Sequence, residues 1–228
     1  MAKRFVTPDY GATMGNGERV TIDVTNSISA GLDHNEGLIA HVRKWMDGLG
    51  YTRILDFGAG ALRHAIPLLE AGFEVTVVEY KRAFERPRAK EALAIAEEYD
   101  GFSALVWPHD FMRSRVRYDV ALLVYVLQVI PVKKDREVVL GEIAKRFDRN
   151  GPRRLYYASR YGEARSLSAD RKHKDGWVRG RGDHGRSFYT EWKADDTNRM
   201  FAKFGYERAG TYQGASQGFI YDHRPGLL

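Results

Sequence analysis

The sequence predicts an α/β fold, a three-layer αβα sandwich around a mostly parallel sheet. Three observations predict it. Strand-like and helix-like segments alternate from about residue 35 to 160. Several strand-like runs, above all Asp119 to Val126 (DVALLVYV), are apolar on both faces, as a sheet covered by helices on each side requires. The first of these strands runs into a Gly-x-Gly turn, Gly58-Ala59-Gly60, that opens onto a helix-like segment.

The elements follow in order. Residues 1 to about 34 are rich in Gly, Thr, Ser and Asn and read as a loop-rich lead-in or lid, with one short strand at Arg19 to Val24. Asn35 to Leu49 carries Leu38, Ile39, Val42, Trp45 and Met46 at helical spacing, stopped by Gly48 and Gly50. Arg53 to Phe57 is a buried strand. Ala61 to Ala71 is a helix in which Pro67 forces a kink or a late start. Glu74 to Glu79 is the second strand, and Phe84 to Tyr99 a helix regular from about Pro87. Ser103 to Val106 and Asp119 to Val126 are the third and fourth strands. A helix over Lys134 to Phe147 and a strand over Arg154 to Ser159 complete the alternation. Glu163 to Arg186 is polar, glycine-bearing and aperiodic. A helix at Lys193 to Phe204 and strands at Tyr206 to Tyr212 and Gln217 to Tyr221 close the chain. Residues 35–228 therefore form one domain, with a basic loop at about 160–192.

Composition narrows the class. The 228 residues suffice for a sizeable core, and 43% hydrophobic with 29% charged residues is a soluble globular balance. The 36 basic and 30 acidic residues leave a net charge of +6, a mild preference for anionic partners. No cysteine is present, which excludes disulfides, zinc-thiolate sites and a thiol nucleophile. No metal site is expected. Met1-Ala2-Lys3-Arg4 has no apolar run behind it, and Val120 to Val132 is too short to span a bilayer. The expectation is a cytoplasmic protein without membrane contact, its oligomeric state unspecified.

The glycine turn suggests chemistry. Without Cβ atoms, Gly58 and Gly60 let a ligand approach the main chain. Glu79 ends the neighbouring strand, where a carboxylate can accept from both hydroxyls of a ribose. Asp110, past the third strand, is placed to accept from the amine of an adenine, with Phe111 against the ring.

The run Ile54-Leu55-Asp56-Phe57-Gly58-Ala59-Gly60 resembles the first motif of class I S-adenosylmethionine-dependent methyltransferases, and Glu79, Asp110 and Asp119 to Pro131 match the elements that follow it. The resemblance covers roughly residues 35 to 160 in element order. It implies a Rossmann-like, seven-stranded sheet with an antiparallel last strand, and S-adenosylmethionine as cofactor. It implies cofactor contacts from Asp56, Phe57, Gly58, Ala59, Gly60, Glu79, Tyr80, Asp110, Phe111, Val124 and Tyr125. Leu62 stands where the family often has a third glycine. A dinucleotide-binding domain, the main competitor, usually wants Gly-x-Gly-x-x-Gly, and Arg63 occupies its last position.

Methyl transfer from a sulfonium asks mainly for positioning and exclusion of water, so catalytic residues are the least legible part. His34, His64 and Tyr125 are the catalytic candidates, with His109, His173 and His184 behind them. Gln128, Arg179, Arg181, Arg186 and Tyr189 are the substrate-binding candidates. Leu127 to Pro131 lacks the Asp/Asn-Pro-Pro-Tyr signature of amino-methylating nucleic-acid enzymes. A small-molecule acceptor is therefore expected. The alternatives are a nucleic-acid methyltransferase that uses the basic loop 171–186 and a non-catalytic binding module.

Overall fold

A computed structural model describes residues 8–27, 34–148, 151, 153–162, 167–180, 185–215 and 217–224. An antiparallel hairpin, β1 (Asp9–Thr13) and β2 (Arg19–Asp23), leads into a 3-10 turn at Val24–Ser27. Then come α1 (Glu36–Asp47), β3 (Arg53–Phe57), α2 (Ala65–Glu70), β4 (Glu74–Tyr80), α3 (Lys81–Phe84), α4 (Pro87–Ala96) and β5 (Phe102–Trp107). The second half holds α5 (His109–Arg113), β6 (Val120–Val124), α6 (Lys133–Ala144) and β7 (Arg154–Ser159). Short strands β8 (Lys172–His173), β9 (Gly176–Arg179) and β10 (Ser187–Tyr189) precede α7 (Ala194–Ala202), β11 (Tyr206–Thr211) and β12 (Gln217–His223).

Seven strands form the main sheet in the order β11-β12-β7-β6-β3-β4-β5, and β12 runs antiparallel to both its neighbours. The expected sheet is thus present, including its antiparallel insertion. Period-2 alternation divides the core into two faces. Ile54, Val120 and Leu122 meet Leu38, Val42 and Met46 of α1 and Leu68 and Leu69 of α2. Leu55, Ala121 and Leu123 meet Val139, Leu140 and Ile143 of α6 and Phe201 of α7. All five residues of β6 are buried, which is why its sequence shows no polar face.

Local chemistry sets the boundaries. Asn35 caps α1 by accepting from the N–H of Leu38 at 2.9 Å. Helix α2 starts at Ala65, so Pro67 falls in its first turn, where its missing N–H costs nothing. The fourth strand ends at Val124, because Tyr125 turns into the left-handed region with φ 63°.

Two readings are corrected. The lead-in carries two strands where one was expected. The segment from 163 to 186, read as an aperiodic loop, contributes β8 and β9, which join β10 in a small antiparallel sheet. Strands this short fall below the length at which alternation can be recognised. Gly176 belongs to this packing, since a Cβ there would lie 2.2 Å from the Phe188 ring.

The hairpin and the small sheet pack together through Met14, Ile22, Val24, Val178 and Phe188. The result is a cap over the C-terminal edge of the main sheet. Arg82 of α3 binds Asp9 at 2.9 Å and Asp23 at 3.0 Å. Arg86 donates to Thr25 Oγ1 at 2.9 Å and Asn26 Oδ1 at 2.7 Å. On the other side, buried Arg136 of α6 pairs with Asp175, and Thr190 N–H donates to the Gln128 carbonyl at 2.9 Å. No described helix is long and apolar enough to cross a membrane.

Candidate functional site

The chain leaves β3 toward β4 and β5 on one side, whereas β6 leads to β7 on the other. Connections that diverge from adjacent parallel strands open a crevice at their C-terminal ends. A cavity of about 290 Å³ occupies that position, roofed by Val24 to Ser27 and by Phe188 and Tyr189 of the cap.

The glycine turn forms its floor. Gly58 has φ 74° and Gly60 φ 58°, values that favour glycine. A Cβ on Gly58 would lie 2.4 Å from Cγ2 of Val126. The N–H of Gly58 donates to the Val78 carbonyl at 2.8 Å, and that of Gly60 to Glu79 Oε2 at 3.2 Å. Leu62 also adopts a left-handed φ, 56°, so a side chain sits where the resemblance allows glycine.

Two buried carboxylates face this turn from the tips of β3 and β4. Asp56 is 2% exposed, and its Oδ2 has no hydrogen-bond partner among the described residues. Burial pushes its carboxyl up to about 7, against the pull of Arg63, with Glu79 adding repulsion. Burial also raises Glu79 to about 7, partly offset by the N–H groups of Tyr80 and Gly60 and by Arg86. Asp56, desolvated and with one oxygen unpartnered among the described residues, is an acid that a donor or a cation from a ligand would satisfy.

His64 lies on the same wall, 3% exposed, with Nε2 unpartnered among the described residues. Burial, then Arg63, then His34, hold its pKa down to about 3, so the ring is neutral. Tyr80 rises to about 12, mainly through burial.

Across the cavity two guanidiniums approach the ring of Tyr125. Arg63 and Arg160 each stand 5.5 Å from its ring centroid. Arg160 N–H donates to buried Gln128 Oε1 at 2.7 Å, and Tyr189 hydroxyl donates to the Arg160 carbonyl at 3.2 Å. Arg179 stands 5.3 Å from the centroid of Tyr189.

The cavity thus gathers Asp56, Phe57, Gly58, Ala59, Gly60, His64, Glu79, Tyr80, Val124, Tyr125, Gln128, Arg179 and Tyr189. It does not gather the rest. Asp110 is exposed, because α5 begins at His109 and turns its carboxylate back to the N–H of Val106 at 3.2 Å. Phe111 falls on the core side of that turn, against Phe57, Trp107 and Tyr118. His34 is exposed ahead of α1 and does not line the cavity. Arg186 serves the cap, pairing with Glu18 at 2.6 Å. His109 is exposed, and His173 Nδ1 lies 2.9 Å from the Thr13 carbonyl. Arg181 and His184 lie outside the described residues.

Sequence reasoning missed Trp107, Arg63, Arg160 and the 3-10 turn at Val24–Ser27, all on the wall. Trp107 and Arg160 had a usable signal, since each stands at the C-terminal tip of a parallel strand. The turn at Val24–Ser27 had none, because only the folded cap carries it over the sheet.

No protein-family model matches the sequence, and no curated protein matches it. Solved structures do match. The CcbJ methyltransferase from Streptomyces caelestis is 13% identical, over 94% of this chain and 99% of that one, with a TM-score of 0.60. Magnesium protoporphyrin IX methyltransferase from Synechocystis PCC 6803, solved with bound S-adenosylhomocysteine, is 14% identical over 82% of each chain, with a TM-score of 0.55. The 1,6-didemethyltoxoflavin-N1-methyltransferase of Burkholderia thailandensis, with its substrate and S-adenosylhomocysteine bound, is 16% identical over 82% of this chain and 77% of that one, with a TM-score of 0.55. At such identities the likeness concerns the fold, and the fold is that of the class I methyltransferases.

Proposed function

We propose that the chain is an S-adenosylmethionine-dependent methyltransferase acting on a small molecule. One observation carries this reading: two buried carboxylates, Asp56 and Glu79, flank the Gly58–Gly60 turn inside the cavity, and Asp56 Oδ2 has no partner among the described residues. When bound, the cofactor supplies an electrophilic methyl group on a sulfonium. Glu79 accepts from the ribose hydroxyls, and Asp56 accepts from the cofactor's ammonium group. The left-handed glycines give the ligand access to the main chain, and Trp107 supplies an apolar wall for the base in the place expected of Phe111. The solved structures with bound S-adenosylhomocysteine support this cofactor.

Positioning and water exclusion fall to the cap and to Tyr125, Gln128 and Tyr189. His64, at about 3, is too weak a base to take a proton at neutral pH, so its role is to shape the wall. A small acceptor is favoured over nucleic acid by the fate of the basic segment. Arg179 lines the cavity, Arg186 pairs with Glu18, and Lys172 covers the Trp177 ring at 3.7 Å. Those side chains hold the cap together instead of forming a stripe for a phosphate backbone.

A structure grown with S-adenosylhomocysteine tests the reading. It should show the ribose on Glu79 and the adenine beside Trp107. A nucleoside bound elsewhere, or a ribose remote from Glu79, would sink it.

A further inference from the structure

The cap and the main sheet have separate apolar cores. Two side chains, Tyr10 of β1 and Tyr80 at the end of β4, pack against both the cap core and the core on the α6 side of the sheet. Tyr80 also lines the cavity. Its side chain is hydrogen-bonded to Tyr10 and to Trp107, and the Tyr10 hydroxyl is hydrogen-bonded to Asp135 as well. An indole N–H only donates and a carboxylate only accepts, which gives the chain one direction. Trp107 Nε1–H donates to the Tyr80 hydroxyl, Tyr80 donates to Tyr10, and Tyr10 donates to Asp135. Burial, then the neighbouring Tyr80 and Asp135, raise the Tyr10 hydroxyl well above its ordinary range, and burial raises Tyr80 to about 12. Both phenols therefore keep their protons at neutral pH.

The chain starts on the cavity wall at Trp107 and ends in α6. Asp135 is buried in the first turn of that helix, and its neighbour Arg136 pairs with Asp175, between β8 and β9 of the cap. Successive residues of α6 thus hold the two halves of the cap, the hairpin through Tyr10 and the small sheet through Asp175.

We propose that Tyr10 is a positioning residue for the nucleoside: acting through Tyr80, it sets the orientation of Trp107 and couples docking of the hairpin to filling of the base site. The inference rests on the reading of the cavity as a methyltransferase site with the base beside Trp107. The other contacts of the Trp107 ring are apolar. It meets Phe57 edge-on with centroids 5.0 Å apart, and Phe111 at 5.8 Å. Those contacts hold the ring in place, and the hydrogen bond to Tyr80 fixes its polar end. In such a buried chain, loss of one hydroxyl leaves Tyr80 without its acceptor and removes a donor from Asp135. Because the hairpin and the base wall share the chain, a ligand that steadies one steadies the other by the same free energy.

Tyr10→Phe on the full chain is the test, since it keeps the ring and removes only the hydroxyl. The indole N–H of Trp107, assigned in proton–nitrogen spectra by its loss in Trp107→Phe, should exchange with solvent about threefold faster or more in Tyr10→Phe. S-adenosylhomocysteine affinity, read by calorimetry, should fall about three- to tenfold. Tyr80→Phe, which cuts the chain one link nearer the wall, should reproduce both effects, and the double variant should lose little more than either single one. It also carries both readings if Tyr10→Phe fails to fold. Val20→Ala, which thins the cap core beside the chain, is the control. It should lower Tm and leave indole exchange and affinity as in the parent. Unchanged indole exchange or unchanged affinity in folded Tyr10→Phe overturns the proposal. So do fully additive losses in the double variant, or a Val20→Ala protein that matches Tyr10→Phe in both readings. If S-adenosylhomocysteine does not bind the parent, the proposed function fails, and indole exchange in the unliganded chain still decides whether Tyr10 sets Trp107.

Discussion

The backbone N–H of Gly60 donates to Glu79 Oε2 at 3.2 Å, joining the glycine turn after β3 to the carboxylate that ends β4. The N–H of Tyr80 takes the other oxygen at 2.8 Å. Glu79 therefore shapes the turn. Losing its side chain should loosen the turn and, on the proposed reading, remove a ribose contact as well.

Asp56 makes stability depend on pH in a defined direction. Its carboxyl stands at about 7 in the folded chain against an ordinary 3.8, so the folded state holds that proton more tightly than the unfolded one. Stability from this group is present on the acid side and falls as pH rises from about 4 to about 7. Glu79 adds to the trend, whereas His64 opposes it, since a lowered histidine loses stability as pH falls from 6.5 toward about 3. Comparing Asp56→Asn with the parent isolates the first effect. In urea titrations the variant should gain on the parent steadily across that window, and a flat difference curve would contradict the assignment.

Gly58→Ala places a Cβ 2.4 Å from Cγ2 of Val126 at a residue with φ 74°. Strain and overlap together should cost about 1–3 kcal/mol of stability. Thermal unfolding should show the loss, and cofactor affinity should fall with it. Gly17, also left-handed at φ 85° but with nothing within 4 Å of an added Cβ, is the control. Its alanine variant should pay only the backbone term and leave cofactor affinity alone.

The cap depends unequally on its two clamps. Arg82 is half exposed in its pairs with Asp9 and Asp23, so Arg82→Ala should change stability by less than about 1 kcal/mol. Arg86 holds Thr25 and Asn26, which line the cavity, and contributes to the electrostatics of Glu79. Arg86→Ala should speed hydrogen exchange at Val24 to Ser27 and weaken cofactor binding, while Arg82→Ala does neither. Equal exchange in the two variants would show that the roof is held by its apolar contacts instead.

The main sheet was legible because its signals are repeated along the chain. β3, β4, β6 and β7 each carry an apolar run, and the segments between them carry helical spacing. The Asp56, Gly58, Gly60 and Glu79 cluster was legible because it lies at strand tips, where the topology gathers residues whatever their loops do. Asp110 stands just past β5, as expected, but off the cavity wall, because its direction depends on one turn, that of α5, whose short run has no readable phase. The cap was illegible because β8, β9 and β10 have two to four residues each and are stabilised by the distant hairpin β1–β2. Arg160 and Trp107 reach the wall only because β7 and β5 end where they do.

The central claim is that Glu79 and the glycine turn hold a nucleoside cofactor. Titrating S-adenosylhomocysteine into the parent and into Glu79→Ala, with circular dichroism confirming that both are folded, tests it most directly. One site per chain should bind in the parent, and the variant should lose about tenfold or more, since a charge-assisted pair with the ribose disappears. Equal affinity in the two folded proteins, or no binding by the parent, would contradict the account.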